Sequence, residues 1–143
     1  MGVGTGGTLI GVGQAIREVN PEALIVALEP SESCTIQCGD TGLHQIEGIS
    51  DGFIPTIYQR HHEMVDRVMG VHSDDAVREM RRLAHDFGLL VGPSSGANMV
   101  VARRLRDELP EGSTIVTILC DEGEKYLSEY FIPPSLTSTI APG

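Results

Sequence analysis

The chain starts Gly2-Val3-Gly4-Thr5-Gly6-Gly7-Thr8 and runs without interruption into the amphipathic stretch Leu9 to Asn20. This is the strongest restriction on the fold. Closely spaced glycines allow a tight reversal and a close approach of backbone to a ligand or to a neighbouring segment. A glycine turn that opens a helix leaves a row of amides unpaired, and the Thr5 and Thr8 hydroxyls beside them make the turn suitable for a phosphate. A purely steric strand-to-helix turn has the same residues. No Gly-Lys-Ser/Thr follows, so the turn is not a P-loop, and it does not match Gly-x-Gly-x-x-Gly with an acidic residue suitably downstream on a strand. A monophosphate therefore fits better than a dinucleotide.

Beyond the turn, Leu9, Val12, Ile16 and Val19 recur at helical spacing, and Asn20-Pro21 stops that helix. Leu24 to Leu28 is a continuous apolar run closed by Glu29-Pro30, which predicts a strand buried on both faces of a parallel sheet. From Ser31 to Gln59 no period is sustained, and Gly39, Gly42, Gly48, Gly52 and Pro55 punctuate a long connection of the kind that carries function. Val65 to Val71 reads as a second strand. Ser73-Asp74-Asp75 then caps a helix with the apolar face Ala76, Val77, Met80, Leu83, Ala84 and Phe87, ended by Gly88. Gly92-Pro93-Ser94-Ser95-Gly96 is a second glycine-rich turn before a helix lined by Ala97, Val100, Val101, Leu105 and Leu109. Thr114 to Cys120 is the most β-branched strand candidate, Gly123 to Phe131 turns back over the surface, and residues 133–143 form a loose tail. The pattern predicts one α/β unit over residues 1–132, with ligand-facing glycine turns at the carboxyl ends of parallel strands.

Composition narrows the partners. Ten Lys+Arg against twenty Asp+Glu give a net charge of -10, which argues against nucleic acid or an anionic membrane. Three cysteines, with neither a secretory leader nor a long apolar span, predict a reducing, cytoplasmic setting. Cys34-x-x-x-Cys38 lacks a second pair for zinc or redox work. His61-His62-Glu63 places adjacent histidines on different faces, so no metal site is expected. Arg78, Arg81, Arg82, Arg103, Arg104 and Arg106 read as solvated helix faces, and Cys120 as a packing residue rather than a nucleophile. Ser94 and Ser95 are both candidate helix N-caps. Lys125 is the only lysine in the chain.

Four motifs in order carry a resemblance: Gly4-Thr5-Gly6-Gly7-Thr8, His44-Gln45-Ile46-Glu47-Gly48-Ile49 with Gly52-Phe53-Ile54-Pro55, Gly92-Pro93-Ser94-Ser95-Gly96-Ala97, and Gly123-Glu124-Lys125-Tyr126-Leu127-Ser128. Together they resemble the C-terminal half of the cysteine synthase family, pyridoxal-phosphate enzymes of the tryptophan-synthase-β-like fold. The resemblance implies a three-layer α/β architecture, a mostly parallel twisted sheet flanked by helices, as part of fold type II. It implies that Gly4, Thr5, Gly6, Gly7 and Thr8 hold the cofactor phosphate, that Ser94 bonds the pyridine nitrogen, and that Gly48 lies on the substrate-side loop, where a plain structural turn is the alternative. A neutral hydroxyl at that nitrogen makes a weaker electron sink than a carboxylate, which suits β-replacement over transamination. Neither the family's cofactor-bonding lysine nor its substrate-carboxylate loop occurs here. The expectation is therefore an N-terminal half supplied separately, no catalytic residue in this chain, no activity alone, and assembly into an oligomer. The complete enzyme of cysteine biosynthesis would convert O-acetylserine and sulfide to cysteine and acetate. A cystathionine β-synthase-like fragment, or a non-catalytic binding or assembly partner, is the alternative. Cys120-Asp121-Glu122 and Ser50-Asp51 depart from the residues common in the family.

Overall fold

Strand β1 (Val26–Pro30) pairs in parallel with β2 (Arg67–Val71), Val26 opposite Arg67 and Pro30 opposite Val71. The structure, a computed structural model, describes residues 1–132, so the expected tail at 133–143 lies outside the described residues. On the other edge of β1, Gly2 bridges Leu28 in parallel, with Val3 N donating to Leu28 O at 3.2 Å and Leu28 N to Met1 O at 2.9 Å. Every residue of β1 is buried, as its apolar run predicts, although the strand lies two residues later than that run. Glu29 can enter the interior because its carboxylate accepts the Ile36 amide at 2.7 Å and the Gln37 amide at 3.1 Å. A buried acid whose oxygens meet amides avoids the penalty of an unpaired charge.

Alternation along the strands sorts the core into two faces. Val26, Leu28, Met69 and Val71 pack with Ala76 of α3 (Ser73–Phe87) and with Ala97, Val101 and Leu105 of α4 (Pro93–Glu108). Ile25 and Ala27 pack with Leu9 of α1 (Gly7–Val19) and Tyr58 of α2 (Thr56–His61). The result is the expected helix–sheet–helix arrangement with a parallel sheet.

Several details differ from the sequence expectation. The first helix starts at Gly7 and buries Leu9, Ile10 and Gly13, while Val19 is 86% exposed. α2 begins inside the stretch read as irregular and ends two residues beyond it; at six residues it is too short to show a period. His72, not Ser73, caps α3, its Nδ1 accepting the Asp74 amide at 3.3 Å, whereas Gly88 ends that helix at φ 68° as expected. Phe87 is exposed beneath the Arg82 guanidinium, 5.5 Å from the ring centre. The arginines are not merely solvated: Glu79 accepts from Arg82 at 3.1 Å and from Arg103 at 2.9 Å, and Arg104 donates to Gly70 O at 2.8 Å. The Gly123–Phe131 stretch buries Tyr126 and Tyr130 against Val77 and Met80 instead of only crossing the surface.

The Thr114–Cys120 strand does not form a ladder. Two of its carbonyls are met by α4 side chains instead: Asn98 Nδ2 donates to Ile118 O at 2.8 Å and Ser95 Oγ to Cys120 O at 2.5 Å. A cleft of about 480 Å³, lined by Val26, Val101, Leu105 and residues 113–117, separates the segment from β1. β-branched residues favour an extended chain, but a ladder also needs a neighbour at sheet spacing.

Cys34 and Cys38 form a disulfide across one turn, with Cα atoms 5.3 Å apart, whereas the sequence predicts a reducing setting and no redox role for the pair. Cys120 is the free cysteine. No helix among the described residues is long and apolar enough to cross a membrane. Alkylation of the denatured, unreduced chain should label one cysteine and alkylation after reduction three, read by intact mass. Three labels before reduction would show that Cys34 and Cys38 are apart.

Candidate functional site

The glycine turn is held open by its own backbone. Gly6 occupies the N-cap of α1 at φ 83°, a left-handed conformation that favours glycine, and offers no side-chain cap. Thr5 Oγ1 accepts the Gly7 amide at 3.3 Å and Gly6 O accepts the Ile10 amide at 3.0 Å. The Thr8 and Leu9 amides between them have no protein acceptor among the described residues, and the first turn carries no acid. Unpaired amides at the positive end of a helix dipole form an anion seat.

A second loop closes against the first. A Cβ on Gly4 would fall 2.6 Å from Gly48 O, so the two backbones meet where no side chain fits. Ser50 N donates to Val3 O at 3.0 Å, and its hydroxyl donates to Ser33 O at 3.0 Å. His44 orders the turn between: its Nδ1 accepts the Ile46 amide at 3.2 Å, which leaves Nε2 to donate to Ser50 O at 3.1 Å. Gln45 N donates to Ser73 Oγ at 2.9 Å, tying the loop to the start of α3. Sequence reasoning missed His44, Ser50 and Asn98 as organisers of the site. Asn98 Oδ1 accepts the Gly2 amide at 3.0 Å while its Nδ2 donates to Ile118 O, so one side chain joins three segments. A buried amide midway along an apolar helix face was the available signal.

The far wall comes from α4 and the segment after it. Gly92 is the N-cap and Pro93 the first helical residue, so neither Ser94 nor Ser95 caps the helix. The two serines are buried in its first turn, with Ser95 bound to Cys120 O. Burial, and after it the Asp121 charge, raises the pKa of the Cys120 thiol.

Together these walls enclose a pocket of about 260 Å³. Gly4, Thr5, Gly6 and Thr8 line one end, Glu47 and Gly48 one side, and Ser94, Cys120 and Asp121 the other end. The structure thus brings together the predicted site residues from three of the four motifs, except Gly7, which does not line the pocket. No lysine, arginine or histidine lines it; Lys125 is exposed on the 3-10 turn Gly123–Tyr126. Among the described residues no metal-type cluster of His, Cys, Asp and Glu occurs.

Residues 1–121 match the family described as pyridoxal-phosphate dependent enzyme. The chain belongs to that family. It is 42% identical over 127 residues to a cysteine synthase of Staphylococcus aureus, an alignment covering 89% of this chain and 40% of the relative. It is 38% identical over 129 residues to O-ureido-L-serine synthase of Streptomyces lavendulae, covering 90% of this chain and 39% of that protein. Among solved structures, O-acetylserine dependent cystathionine beta-synthase from Helicobacter pylori superposes with a TM-score of 0.84 at 36% identity, covering 92% of this chain and 42% of that one. The chain thus spans about 40% of the length of the curated relatives it matches. Its structural neighbours are fold type II enzymes, and pyridoxal phosphate is the cofactor of the family. The site fits that group at both ends: free amides suit its phosphate, and a buried hydroxyl suits a ring nitrogen.

The tyrosines behind the far wall set the alkaline limit. Tyr126 OH donates to Asp121 Oδ2 at 2.7 Å, and burial followed by that bond raises its pKa. Burial pushes Tyr130 up from 10.0 to about 12. Phenols that hold their protons more tightly when folded contribute stability in full below the unfolded value of 10.0 and lose it as pH rises toward 12. The urea midpoint should therefore fall across that range, and fall less in Tyr130→Phe. An equally steep fall in the variant would contradict the assignment.

Proposed function

We propose that the chain is a C-terminal portion of a cysteine synthase, contributing the phosphate seat and the ring-nitrogen wall of a pyridoxal-phosphate site. The observation that carries this is the two-ended pocket, with unpaired α1 amides opposite the buried Ser94. In this reading Gly4, Thr5, Gly6, Gly7 and Thr8 form the turn that binds the phosphate through backbone amides and threonine hydroxyls. Ser94 holds the ring nitrogen, and Gly48 faces the substrate. When bound, the cofactor supplies the electron sink that lets a β-substituent leave an amino acid. The protein's part is to fix the cofactor's position and to exclude water around it.

The reaction we assign to the complete site is replacement of the acetoxy group of O-acetylserine by sulfide, giving cysteine and acetate. The names of the other relatives keep the same amino-acid skeleton with a different substituent or nucleophile, and a cystathionine β-synthase-like reaction is the second reading. Lys125 does not line the pocket, and Met1, which does, holds its amino group on Val26 O at 2.7 Å; in this reading the amine that bonds the cofactor comes from another segment. The apolar cleft beside Thr114–Cys120, with Val116 66% exposed, supports assembly with such a segment or with a second copy of the chain. We assign the protein to the cytoplasm, with small-molecule substrates.

Pyridoxal phosphate and pyridoxine phosphate should both raise the melting temperature of the chain, while unphosphorylated pyridoxal should not. Ser94→Ala should weaken either ligand by about 1 kcal/mol, roughly fivefold, for one lost hydrogen bond. The chain alone should form no cysteine from O-acetylserine and sulfide. Stabilisation by pyridoxal equal to that by its phosphate, or turnover by the chain alone, would contradict the reading.

A further inference from the structure

The far end of the pocket carries more charge than the proposed contacts use. Asp121 lines it beside Ser94 and Cys120, and Glu47 reaches it from the opposite wall. No lysine, arginine or histidine lines the pocket to neutralise either acid, and burial lowers the pKa of the amino group of Met1, which does line it, to about 6. Asp121 is also held under strain. Its φ of 57° is left-handed, a conformation among non-glycine residues shared only with Ser50 among the described residues. Such a position costs free energy and persists only where the surroundings impose it.

The surroundings are specific. Tyr126, 4% exposed, donates to Oδ2, leaving Oδ1 with no donor among the described residues. A Cβ on Gly92 would lie 2.8 Å from Tyr126 Cε2 and 3.1 Å from Asp121 Cβ, so ring and acid pack onto the turn that opens α4 and presents Ser94. On either side of Asp121 the backbone is fixed, Gly92 N donating to Cys120 O at 3.5 Å and Gly123 N to Leu90 O at 3.0 Å. Carboxylate and Ser94 are therefore mounted on one rigid unit.

Ser94 cannot by itself set the protonation of a ring nitrogen, because a hydroxyl donates to the bare nitrogen as readily as it accepts from the protonated one. The neighbouring charge then decides. We propose that Asp121, fixed by Tyr126, is the positioning acid that favours a proton on the ring nitrogen of a phosphopyridine seated between the α1 amides and Ser94. This rests on the reading of the site given above. The groups around Asp121 offset it little: the Cys120 thiol is held neutral by burial, the Met1 amino group is lowered by burial to about 6, Tyr126 donates a hydrogen bond without charge, and Glu47, which also faces Tyr126 and Tyr130, adds charge of the same sign. An opposite charge within a few ångströms raises the proton affinity of a base by about one unit or more. The ring is then a deeper electron sink than a serine partner alone provides.

Pyridoxine 5′-phosphate labelled with 15N in the ring tests this, because it lacks an aldehyde and needs no lysine. The ring-nitrogen shift of the bound ligand is followed against pH by NMR in the wild-type chain and in Asp121→Asn, whose side chain keeps the shape and tolerates positive φ. Asp121→Gly, free of strain at that φ, serves if the first variant does not fold. The bound nitrogen should titrate about one unit or more lower in either variant, roughly a tenfold loss in proton affinity. Unchanged titration, with the ligand still displaced by inorganic phosphate, would overturn the role of Asp121 and leave the cofactor site standing. Absence of saturable binding to the wild-type chain would overturn both.

Discussion

The backbone contact between Gly4 and the Gly48 carbonyl sets the shape of everything functional here. One chain cannot pass so close to another with a side chain at the crossing, and 2.6 Å to a hypothetical Cβ leaves no room for one. Because Val3 O accepts the Ser50 amide at the same crossing, the excursion after β1 is locked to the segment that leads into α1. The amides at the start of that helix then face a pocket with fixed walls rather than open solvent. Pre-organisation of this kind lowers the ordering cost of binding a small anion.

Charge is distributed along the pocket in the same sense as the proposed ligand. The helix dipole and unpaired amides favour a negative group at the glycine end, whereas Asp121 and Glu47 favour a positive one at the other. A net charge of -10 makes the chain as a whole a poor trap for phosphates. Local backbone dipoles, not surface cations, are therefore the binding device.

Much of this was legible in the sequence, for identifiable reasons. The parallel two-faced strand showed in Leu24 to Leu28, α3 in its caps and period, and the pocket in three glycine-containing motifs. The Thr114–Cys120 segment misled because β-branching reports a preference for extension and says nothing about whether a partner strand is present. α2 is shorter than two turns and leaves no periodic trace. Asn98 was missed because its importance comes from hydrogen bonds to residues distant in sequence, 96 positions away for the Gly2 amide, whereas His44 makes local bonds to Ile46 and Ser50 inside a stretch that shows no period. Ser94 looked like a cap because serine before an apolar period usually is one. Pro93 at the first helical position shifted the cap to Gly92 and left the serine hydroxyl for the pocket.

The most direct test of the account is an amide-resolved NMR titration of the chain with inorganic phosphate. The account predicts saturable shifts concentrated at Thr5, Gly6, Thr8 and Leu9, and their loss in Gly4→Ala, where the new methyl group displaces the Gly48 loop. Shifts scattered over the surface, or centred away from the α1 amides, would contradict it.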